Sequence, residues 1–204
     1  MKHYGQLKQD LFVYNTFFTE KKDGFYVDIG AHDGITGSNT YLFDQLGWSG
    51  ICIEPNEARF KDLEKNRTST NHNCAVSNLN KEYVEFCLME GYTEMLSGIV
   101  EKYTEKHKKR IIRDCEEHQC KRQKISVKNY LFNDLIKVKD IDFLSIDTEG
   151  GELDLLESID HDFYNIDVIC FENNDLFDLS KSILNKWYNL VTYVQDLDVI
   201  IKRK

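Results

Sequence analysis

The segment Phe25-Tyr26-Val27-Asp28-Ile29-Gly30-Ala31-His32-Asp33-Gly34 determines how the rest of the chain can fold. Residues 25–29 are mostly apolar and favour a strand, and a loop with glycines at positions 30 and 34 follows at once. This pattern is typical of a buried parallel strand whose carboxyl end leads into a tight loop, where open α/β sheets bind their ligands. Gly30 would let the backbone approach a ligand, and Gly34 would permit a turn that a Cβ atom hinders.

The glycine spacing differs from that of dinucleotide-binding loops. It is Gly-x-x-x-Gly rather than Gly-x-Gly-x-x-Gly, and Asp28 near the strand end suits a cationic group better than a pyrophosphate. S-adenosylmethionine (SAM) meets this condition because its methionyl end has an ammonium beside a sulfonium. A second apolar run, 50–53, ends at Glu54 about 20 residues past the glycine loop, where a ribose hydroxyl is held in such folds. Together the two segments predict a SAM site.

Composition and charge limit the class of protein. A chain of 204 residues can form one domain with a full central sheet, and we predict a single domain over 1–204. The net charge of −9 argues against a general nucleic-acid-binding surface. No apolar run approaches ~20 residues, and the first residues lack a signal-peptide core, so we expect no membrane span. Several of the six cysteines fall in predicted strands, as buried thiols do in a reducing compartment, and we expect a cytoplasmic protein.

Apolar periodicity predicts strands that alternate with helices. The predicted strands are 25–29, 50–54, 71–76, 83–88, 125–127, 141–146, 168–171, 190–194 and 199–201. The predicted helices are 4–19, 38–46, 57–66, 129–137, 151–159 and 178–187. Because the last two strands form a hairpin, we predict an α/β fold with a doubly wound, mostly parallel sheet and an antiparallel last strand. That reversal separates SAM methyltransferases from dinucleotide-binding proteins.

Residues 91–124 interrupt the alternation. The part from 102 to 124 contains nine basic and four acidic residues in an otherwise acidic chain. We predict a basic insertion at about 91–124 that acts as a lid or binds its own partner, and a solvated helical hairpin is an equally good interpretation. Cys115, His118 and Cys120 in this segment fit no standard zinc-finger spacing.

Acids stand at the ends of four predicted parallel strands: Asp28, Glu54, Asp147 and Glu172. Right-handed crossovers bring the carboxyl ends of such strands to one edge of the sheet, so we expect these carboxylates to lie at a common ligand site.

Blocks along nearly the whole chain resemble the FkbM family of SAM-dependent methyltransferases. These blocks are Tyr26-Val27-Asp28-Ile29-Gly30-Ala31-His32-Asp33-Gly34, Ser38-Asn39-Thr40, 47–56, 74–77, 96–98, 142–152 and 172–174, and the most distinctive part is Asp147-Thr148-Glu149-Gly150-Gly151-Glu152. The amino-terminal run 4–10 resembles the family's Tyr-Ser-Gln-x-Gly-Gln-Asp and departs from it at Gly5 and Lys8. The resemblance implies a Rossmann-like class I SAM-methyltransferase fold with a seven-stranded, mostly parallel sheet and an antiparallel last strand. It also implies methylation of hydroxyl groups, commonly on sugars or other secondary metabolites.

The resemblance and the strand-end positions together predict where SAM, or its product S-adenosylhomocysteine, binds. The expected cofactor-binding residues are Gln9, Asp10, Asp28, Gly30, Ala31, Asp33, Gly34, Ser38, Asn39, Glu54, Pro55, Ala75 and Val76. We expect Asp28 and the loop 30–34 to hold the methionyl ammonium, and Ser38 and Asn39 to hold the carboxylate. Glu54 would accept from the ribose, while Ala75 and Val76 would flank the adenine.

The candidate bases for an attacking hydroxyl are Asp147, Glu149 and Glu172, acting directly or through a metal. Asp147 with Glu172 and Asn173 resembles the Asp…Asp-Asn metal site of catechol O-methyltransferases. Two carboxylates and an amide oxygen are hard ligands, which suit Mg²⁺ or Mn²⁺. A metal-free base at the same strand ends is the alternative.

We therefore expect a SAM-dependent O-methyltransferase for a small-molecule or glycan acceptor, and the domain would suit a longer glycan-modifying protein. One alternative is an RNA ribose 2′-O-methyltransferase in which the basic insertion tracks phosphates. The acidity of the remaining chain and the single stacking aromatic of 102–124, Tyr103, argue against it. The other alternative is a SAM-fold binding module without catalysis, which the acids at the strand ends disfavour.

Overall fold

A mixed sheet of seven strands forms the centre of the protein. The computed structural model describes residues 1–173, 177–195 and 197–204. Its strands are β1 (Phe25–Ile29), β2 (Ser49–Ile53), β3 (Thr70–His72), β4 (Ala75–Val76), β5 (Tyr83–Met89), β6 (Gly98–Ile99), β7 (Arg122–Tyr130), β8 (Asp140–Ile146), β9 (Asn165–Glu172), β10 (Tyr188–Val194) and β11 (Asp198–Arg203). The main sheet has the order β10-β11-β9-β8-β1-β2-β3. In that sheet β11 runs opposite to the other six strands.

A second sheet of four strands, in the order β4-β7-β5-β6, lies beside the first. Its β4 and β7 are parallel, whereas β5 is antiparallel to both β7 and β6. The helices are α1 (Gln9–Val13), which continues as a π-helical turn (Tyr14–Phe18), α2 (Tyr41–Gln45), α3 (Glu57–Asn66), α4 (Glu105–His118), α5 (Phe132–Leu135) and α6 (Glu152–Ser158). Short 3₁₀ turns occupy Gly91–Leu96, Val100–Lys102, Leu179–Lys181 and Ile183–Lys186. Within the described residues, no helix has the length and apolarity needed to cross a bilayer.

The main sheet is buried on both faces. Alternate residues of one strand point to opposite faces, so Val27 of β1 packs with Leu155 of α6, while Tyr26 packs with Phe43 of α2. Double-sided burial explains why the parallel strands of this sheet are continuous apolar runs. It also leaves the carboxyl ends of these strands as the open edge at which polar residues can gather.

The predicted α/β fold with antiparallel strands at its end is confirmed, and the helix predicted at 57–66 has those bounds. The single strand predicted at 71–76 is wrong, because the chain leaves the main sheet after β3 and enters the second sheet as β4. Helix 129–137 is also shorter than predicted. The side chain of Asn129 donates to the backbone carbonyls of Leu79 and Lys81, which keeps residues 129 and 130 in β7. The helices predicted at 4–19 and 178–187 are reduced to α1 with its π-helical turn and to two 3₁₀ turns.

The basic insertion joins β5 to β7 of the second sheet. It contains one long helix, α4, rather than a helical hairpin in the part of the chain that is described. Ile111 of α4 packs with Met89, Leu96 and Tyr103 in a small apolar cluster of its own. The insertion is therefore folded onto the second sheet, and its function as a lid stays a prediction.

Candidate active site

The carboxyl ends of β1, β2, β8 and β9 open into a cavity of about 640 Å³. These strands are parallel to one another, so their ends share one edge of the sheet. The volume is in the range of pockets that hold drug-sized ligands. The predicted site residues that line the cavity are Gln9, Asp28, Gly30, Ala31, Ser38, Asn39, Glu54, Pro55, Ala75, Val76, Asp147, Glu149 and Glu172.

The other predicted site residues, Asp10, Asp33, Gly34 and Asn173, do not line the cavity. Asp33 closes a turn, since its Oδ1 accepts the backbone N–H of Thr36 at 2.7 Å. Asn173 follows β9, and its Oδ1 accepts the N–H of Phe177 at 2.7 Å. That amide oxygen is thus engaged in a backbone contact, and its place as a metal ligand stays a prediction.

The end of β8 leaves no space for a side chain at position 30, so this position must be a glycine. Its φ is +88°, and a Cβ atom there would lie 1.7 Å from the carbonyl oxygen of Asp147. The backbones of the two strand ends are further joined by the N–H of Asp147, which donates to Ile29 O at 2.9 Å. The missing side chain therefore permits the close approach of β1 and β8, which fixes Asp147 relative to the first loop.

Asp28 belongs to a buried network centred on Arg67, which follows α3. The Arg67 side chain is fully buried and lies 3.6 Å from Asp28 Oδ2. Its Nη2 also donates to Ser38 Oγ at 2.7 Å and to Thr40 Oγ1 at 2.9 Å. Thr40 in turn donates to Asp28 Oδ2 at 2.5 Å. Burial raises the pKa of Asp28, and the Arg67 guanidinium opposes that rise. Asp28 thus has a structural role beneath the loop as well as a place in the cavity wall.

The Ser38 hydroxyl is occupied within the protein, because it also accepts the N–H of Tyr41 at the start of α2, at 3.1 Å. Asn39 differs. Its Nδ2 donates to Ser145 Oγ at 3.3 Å, but its Oδ1 is buried and has no hydrogen-bond partner among the described residues. An unpaired acceptor at a cavity wall is a position where a ligand donor would be stabilised.

Glu54 is buried at the end of β2 with both oxygens fixed. Its Oε1 accepts the N–H of Asn56 at 2.7 Å, and its Oε2 accepts the N–H of His32 at 2.9 Å. Burial raises the pKa of Glu54 to about 7, although these two bonds oppose the rise. The carboxylate is held rigidly, with lone pairs left for hydroxyl donors of a ligand.

The wall next to Glu54 is apolar and comes mainly from the second sheet. Ala75 and Val76 of β4 line it together with Phe86 of β5 and Ile99 of β6. Ala75 and Val76 were predicted at the end of a third strand of the main sheet, which is wrong, yet both still reach the cavity. A flat apolar ring system would fit between these side chains.

Three carboxyl groups, those of Asp147, Glu149 and Glu172, cluster at the ends of β8 and β9. One oxygen of each lies within 4.8 Å of the others. Asp147 lines the cavity and keeps an exposed surface there. Its carboxyl group is removed from bulk water by the surrounding protein and lies near the charge of Glu172, and both effects raise its pKa well above the usual value. Burial followed by the charge of Asp147 likewise raises the pKa of Glu149. Such a cluster holds protons at neutral pH unless a cation neutralises it.

Glu152 folds the loop that presents this cluster. It is buried, and its Oε1 accepts the N–H of Gly150 at 2.6 Å and the hydroxyl of Thr148 at 3.0 Å. Glu149 adopts a left-handed φ of 56° in the resulting turn. The last acid of the Asp-Thr-Glu-Gly-Gly-Glu run is therefore structural.

The basic insertion closes this side of the cavity. His107 of α4 is buried, and its Nδ1 lies 3.5 Å from Glu149 Oε2. Its Nε2 lies 3.4 Å from the carbonyl oxygen of Leu96. Arg110, one turn further along α4, lines the cavity. The insertion thus contacts the acid cluster directly.

The amino-terminal residues His3 to Gln6 form another wall. Gln9 and Asp10 shape this segment: Asp10 Oδ2 accepts the N–H of Tyr4 at 2.6 Å, and Gln9 Oε1 accepts the N–H of Leu7 at 2.8 Å. Gln9 Nε2 also donates to Asp198. The two residues predicted to bind the cofactor therefore act chiefly on the fold of the segment that lines the site.

Sequence reasoning missed Arg67 and Asp198, and it treated His107 and Arg110 only as members of the basic insertion. Arg67 and Arg110 lie in segments with many charged residues, and nothing in the local sequence distinguishes them from the exposed basic residues nearby. Asp198 follows the hairpin turn and lies in the cavity wall, where burial raises its pKa. Only the three-dimensional contacts identify these residues.

Comparison with known families adds one finding. The family model described as Methyltransferase FkbM domain matches residues 28–197, which include the ends of β1, β2, β8 and β9. No curated protein matches the sequence.

Proposed function

Since this chain belongs to the FkbM methyltransferase family, we propose that it transfers a methyl group from SAM to a hydroxyl group of a sugar or glycan. The proposed fold is the class I SAM-methyltransferase fold, to which the β11 reversal and the strand-end cavity are both suited. The free thiols of all six cysteines favour a cytoplasmic location.

The observation that most supports a SAM site is the charge of the cavity. Seven carboxyl groups line it, against one arginine and no lysine among the described residues. A cavity of this charge suits a ligand with cationic groups and disfavours a pyrophosphate. The sulfonium and ammonium of SAM meet that requirement, and the sulfonium makes the methyl group electrophilic.

The residues around the cavity fit the parts of the cofactor in order along the sheet edge. Glu54 would accept hydrogen bonds from the ribose hydroxyls, and the apolar wall at Ala75 and Val76 would enclose the adenine. Asn39 Oδ1 is an unpaired acceptor, so it suits the methionyl ammonium better than the carboxylate that we first assigned to it. Asp28 would contribute to the same ammonium through its negative charge.

The acid cluster would handle the proton of the acceptor hydroxyl. A hydroxyl that attacks the methyl group must lose a proton, and Asp147 or Glu172 can accept it at a carboxylate oxygen. Positioning supplies much of the remaining catalysis, because the transfer is an in-line displacement. The pKa values of Asp147 and Glu149 are both raised, so one of the two would retain a proton, while the positive charge of bound SAM would favour the ionised form of the other.

A metal-assisted version is the second candidate. The three clustered oxygens of Asp147, Glu149 and Glu172 form a donor set of hard ligands that fits Mg²⁺ or Mn²⁺. In that version Glu149 replaces Asn173 as the third ligand, since the Asn173 amide oxygen bonds to the backbone of Phe177. The metal would neutralise the cluster and lower the pKa of a bound hydroxyl.

Calorimetry with SAM and S-adenosylhomocysteine, followed by a methyl-transfer assay across a panel of glycans, tests the proposal. Glu54→Gln should weaken SAM binding by at least ~1 kcal/mol, because it removes a charge-assisted acceptor. Asp147→Asn should leave SAM binding intact and lower kcat by ~10²–10⁴. Glu57→Gln is the matched control, since this exposed residue begins α3 outside the cavity and should change neither value.

Two results would count against the proposal. Unchanged SAM affinity in Glu54→Gln would contradict the cofactor orientation. SAM binding with no transfer to any glycan would favour the non-catalytic module, and transfer to RNA would favour the ribose methyltransferase.

A further inference from the structure

Arg110 is the only lysine or arginine among the described residues that line the cavity. The rest of that lining is rich in carboxylates, so the guanidinium of Arg110 is surrounded by groups of the opposite charge. A cationic cofactor accounts for the acids but gives no reason for an arginine. Within the protein, the charge of Arg110 is offset by Asp114 on the same helix and by Glu149 of the acid cluster.

The guanidinium of Arg110 is incompletely used within the protein. Its closest ion-pair partner in the described chain is Asp114 on the next turn, whose Oδ2 lies 3.7 Å from Nε. Asp114 is held more closely by Arg113, whose Nη2 lies 2.8 Å from Oδ1. About half of the Arg110 side chain is exposed, at 49%. Its two Nη groups thus remain available for a planar, two-pronged contact with an oxyanion.

The position of Arg110 assigns it to the acceptor and not to the cofactor. It lies one turn after His107, whose ring is 3.5 Å from Glu149, and its charge lowers the pKa of Glu149 against the effect of burial. Glu54 and Ala75, the proposed ribose and adenine contacts, are on β2 and β4 and not on the acid loop. The acceptor must reach the acid cluster, and a group next to its reacting hydroxyl would then face α4.

We propose that Arg110 binds an anionic group of the sugar acceptor, a carboxylate or a phosphate, and so selects acidic sugars over neutral ones. The inference rests on the proposed function and names the acceptor class for that same site. It gives the basic insertion a defined task, because α4 then supplies the specificity of the acceptor side.

Binding of three probes to the full-length protein tests this assignment: glucuronate, a glucose phosphate and glucose. Titrations are done with and without saturating S-adenosylhomocysteine, for the wild type, Arg110→Ala, Arg110→Lys and Arg113→Ala. Arg113 is the matched control, because it shares the Asp114 ion pair on the same helix but does not line the cavity.

We expect the wild type to prefer at least one anionic probe to glucose, and Arg110→Ala to weaken that probe at least ~10-fold. Arg110→Lys should recover part of the affinity, and Arg113→Ala should stay within about twofold of the wild type. Binding of glucose should not change in any variant. Preference for glucuronate or for the phosphate identifies the anionic group.

Several outcomes would overturn the inference. These are equal binding of glucose and the anionic probes, no anionic probe bound, or equal losses for glucose and the anions in Arg110→Ala. The last would mean that Arg110 only tunes the acid cluster. Tighter, steeply salt-dependent binding of a short RNA, weakened equally by Arg110→Ala and Arg113→Ala, would identify a nucleic-acid surface instead. A protein that binds the anionic sugar through Arg110 but never binds S-adenosylhomocysteine would refute the proposed function alone.

Discussion

Replacing Arg67 with methionine tests whether the loop after β1 depends on a buried ion pair. The Arg67 side chain has no exposed surface, and it donates to Gly34 O at 2.6 Å, Tyr26 Oη at 3.1 Å and the hydroxyls of Ser38 and Thr40. Methionine retains the apolar stem of the side chain and removes every one of these donors.

The expected cost is about 3–5 kcal/mol of unfolding free energy, the usual range when one partner of a buried ion pair is removed. The reason is that Asp28, which is 4% exposed, would keep its burial but lose its cation. Lys65→Met on α3 is the matched control. Its ion pair with Asp62 is mostly exposed, so we expect a change of about 0–1 kcal/mol.

Urea denaturation of the full-length chain measures these free energies, with circular dichroism to verify the fold. The double variant Arg67→Met/Asp28→Asn should be less destabilised than Arg67→Met alone, because the amide removes the unpaired buried charge. The loss in Arg67→Met should also be smaller at acidic pH. Without arginine the pKa of Asp28 rises further in the folded state, so protonation relieves the penalty as the pH falls.

A cost below about 1 kcal/mol for Arg67→Met would refute this reasoning, since surface pairs already reach that value. A double variant that is as unstable as the single variant would refute it as well, because the penalty would then not come from Asp28. In either case the network would be a geometric coincidence, and Asp28 would be free to act on the cofactor alone.

Three further predictions concern the cavity. Burial raises the pKa of Glu54 from 4.5 to about 7, so Glu54 binds a proton more readily in the cofactor-free fold than in the unfolded chain. The unfolding free energy should therefore fall by up to about 3 kcal/mol as the pH rises from 4.5 to about 7. SAM affinity should rise with pH over the same range as the Glu54 carboxylate forms. Glu54→Gln should remove the pH dependence of both the unfolding free energy and the SAM affinity. If the variant keeps the pH dependence of the wild type, the raised pKa does not belong to Glu54. If the acid cluster holds a metal, activity should vanish with EDTA and return with Mg²⁺ or Mn²⁺, whereas full activity in chelator would leave a direct carboxylate base. Gly98→Ala should lower the unfolding free energy by about 1–3 kcal/mol, because the added Cβ would lie 2.7 Å from Tyr103 Cε1 and 3.0 Å from Thr148 O. An unchanged melting curve would argue against this close packing of β6 on the acid loop.

Local patterns were sufficient for the elements that determine the sheet edge. The strand at Phe25–Ile29 follows from its apolar run, and the helix at Glu57–Asn66 has the predicted bounds. The structure adds that Asn56 caps this helix, since it accepts the N–H of Ala58 at 3.0 Å. Strand-end acids predict a shared cavity because right-handed crossovers leave few other arrangements. These predictions need only the residues next to each position in the sequence and the rule that crossovers between parallel strands are right-handed.

Long-range choices were not predictable in this way. An extended run such as 71–76 gives no indication of which sheet each residue joins, and here it divides between two sheets. The partner of Asp28, Arg67, lies 39 positions along the chain, directly after a helix whose lysines 61 and 65 are exposed. The spacing of Asn173 predicts a metal ligand but gives no indication that its amide oxygen accepts the N–H of Phe177.

The contact between the insertion and the acid loop explains why the two glycines stand between Glu149 and Glu152. A Cβ at Gly150 would lie 2.7 Å from Lys102 O, and one at Gly151 would lie 2.8 Å from Lys102 Cδ. The same lysine pairs with Asp154 at 2.6 Å and so ties the start of the insertion to α6. The glycines therefore serve packing rather than ligand approach. Because the insertion rests on the backbone that presents Glu149, a substitution on the buried face of α4 should act on the acid cluster as well as on acceptor binding, and its effects on KM and kcat should be coupled. Arg110 is about half exposed, so its substitution should change the KM of the acceptor with a smaller effect on kcat.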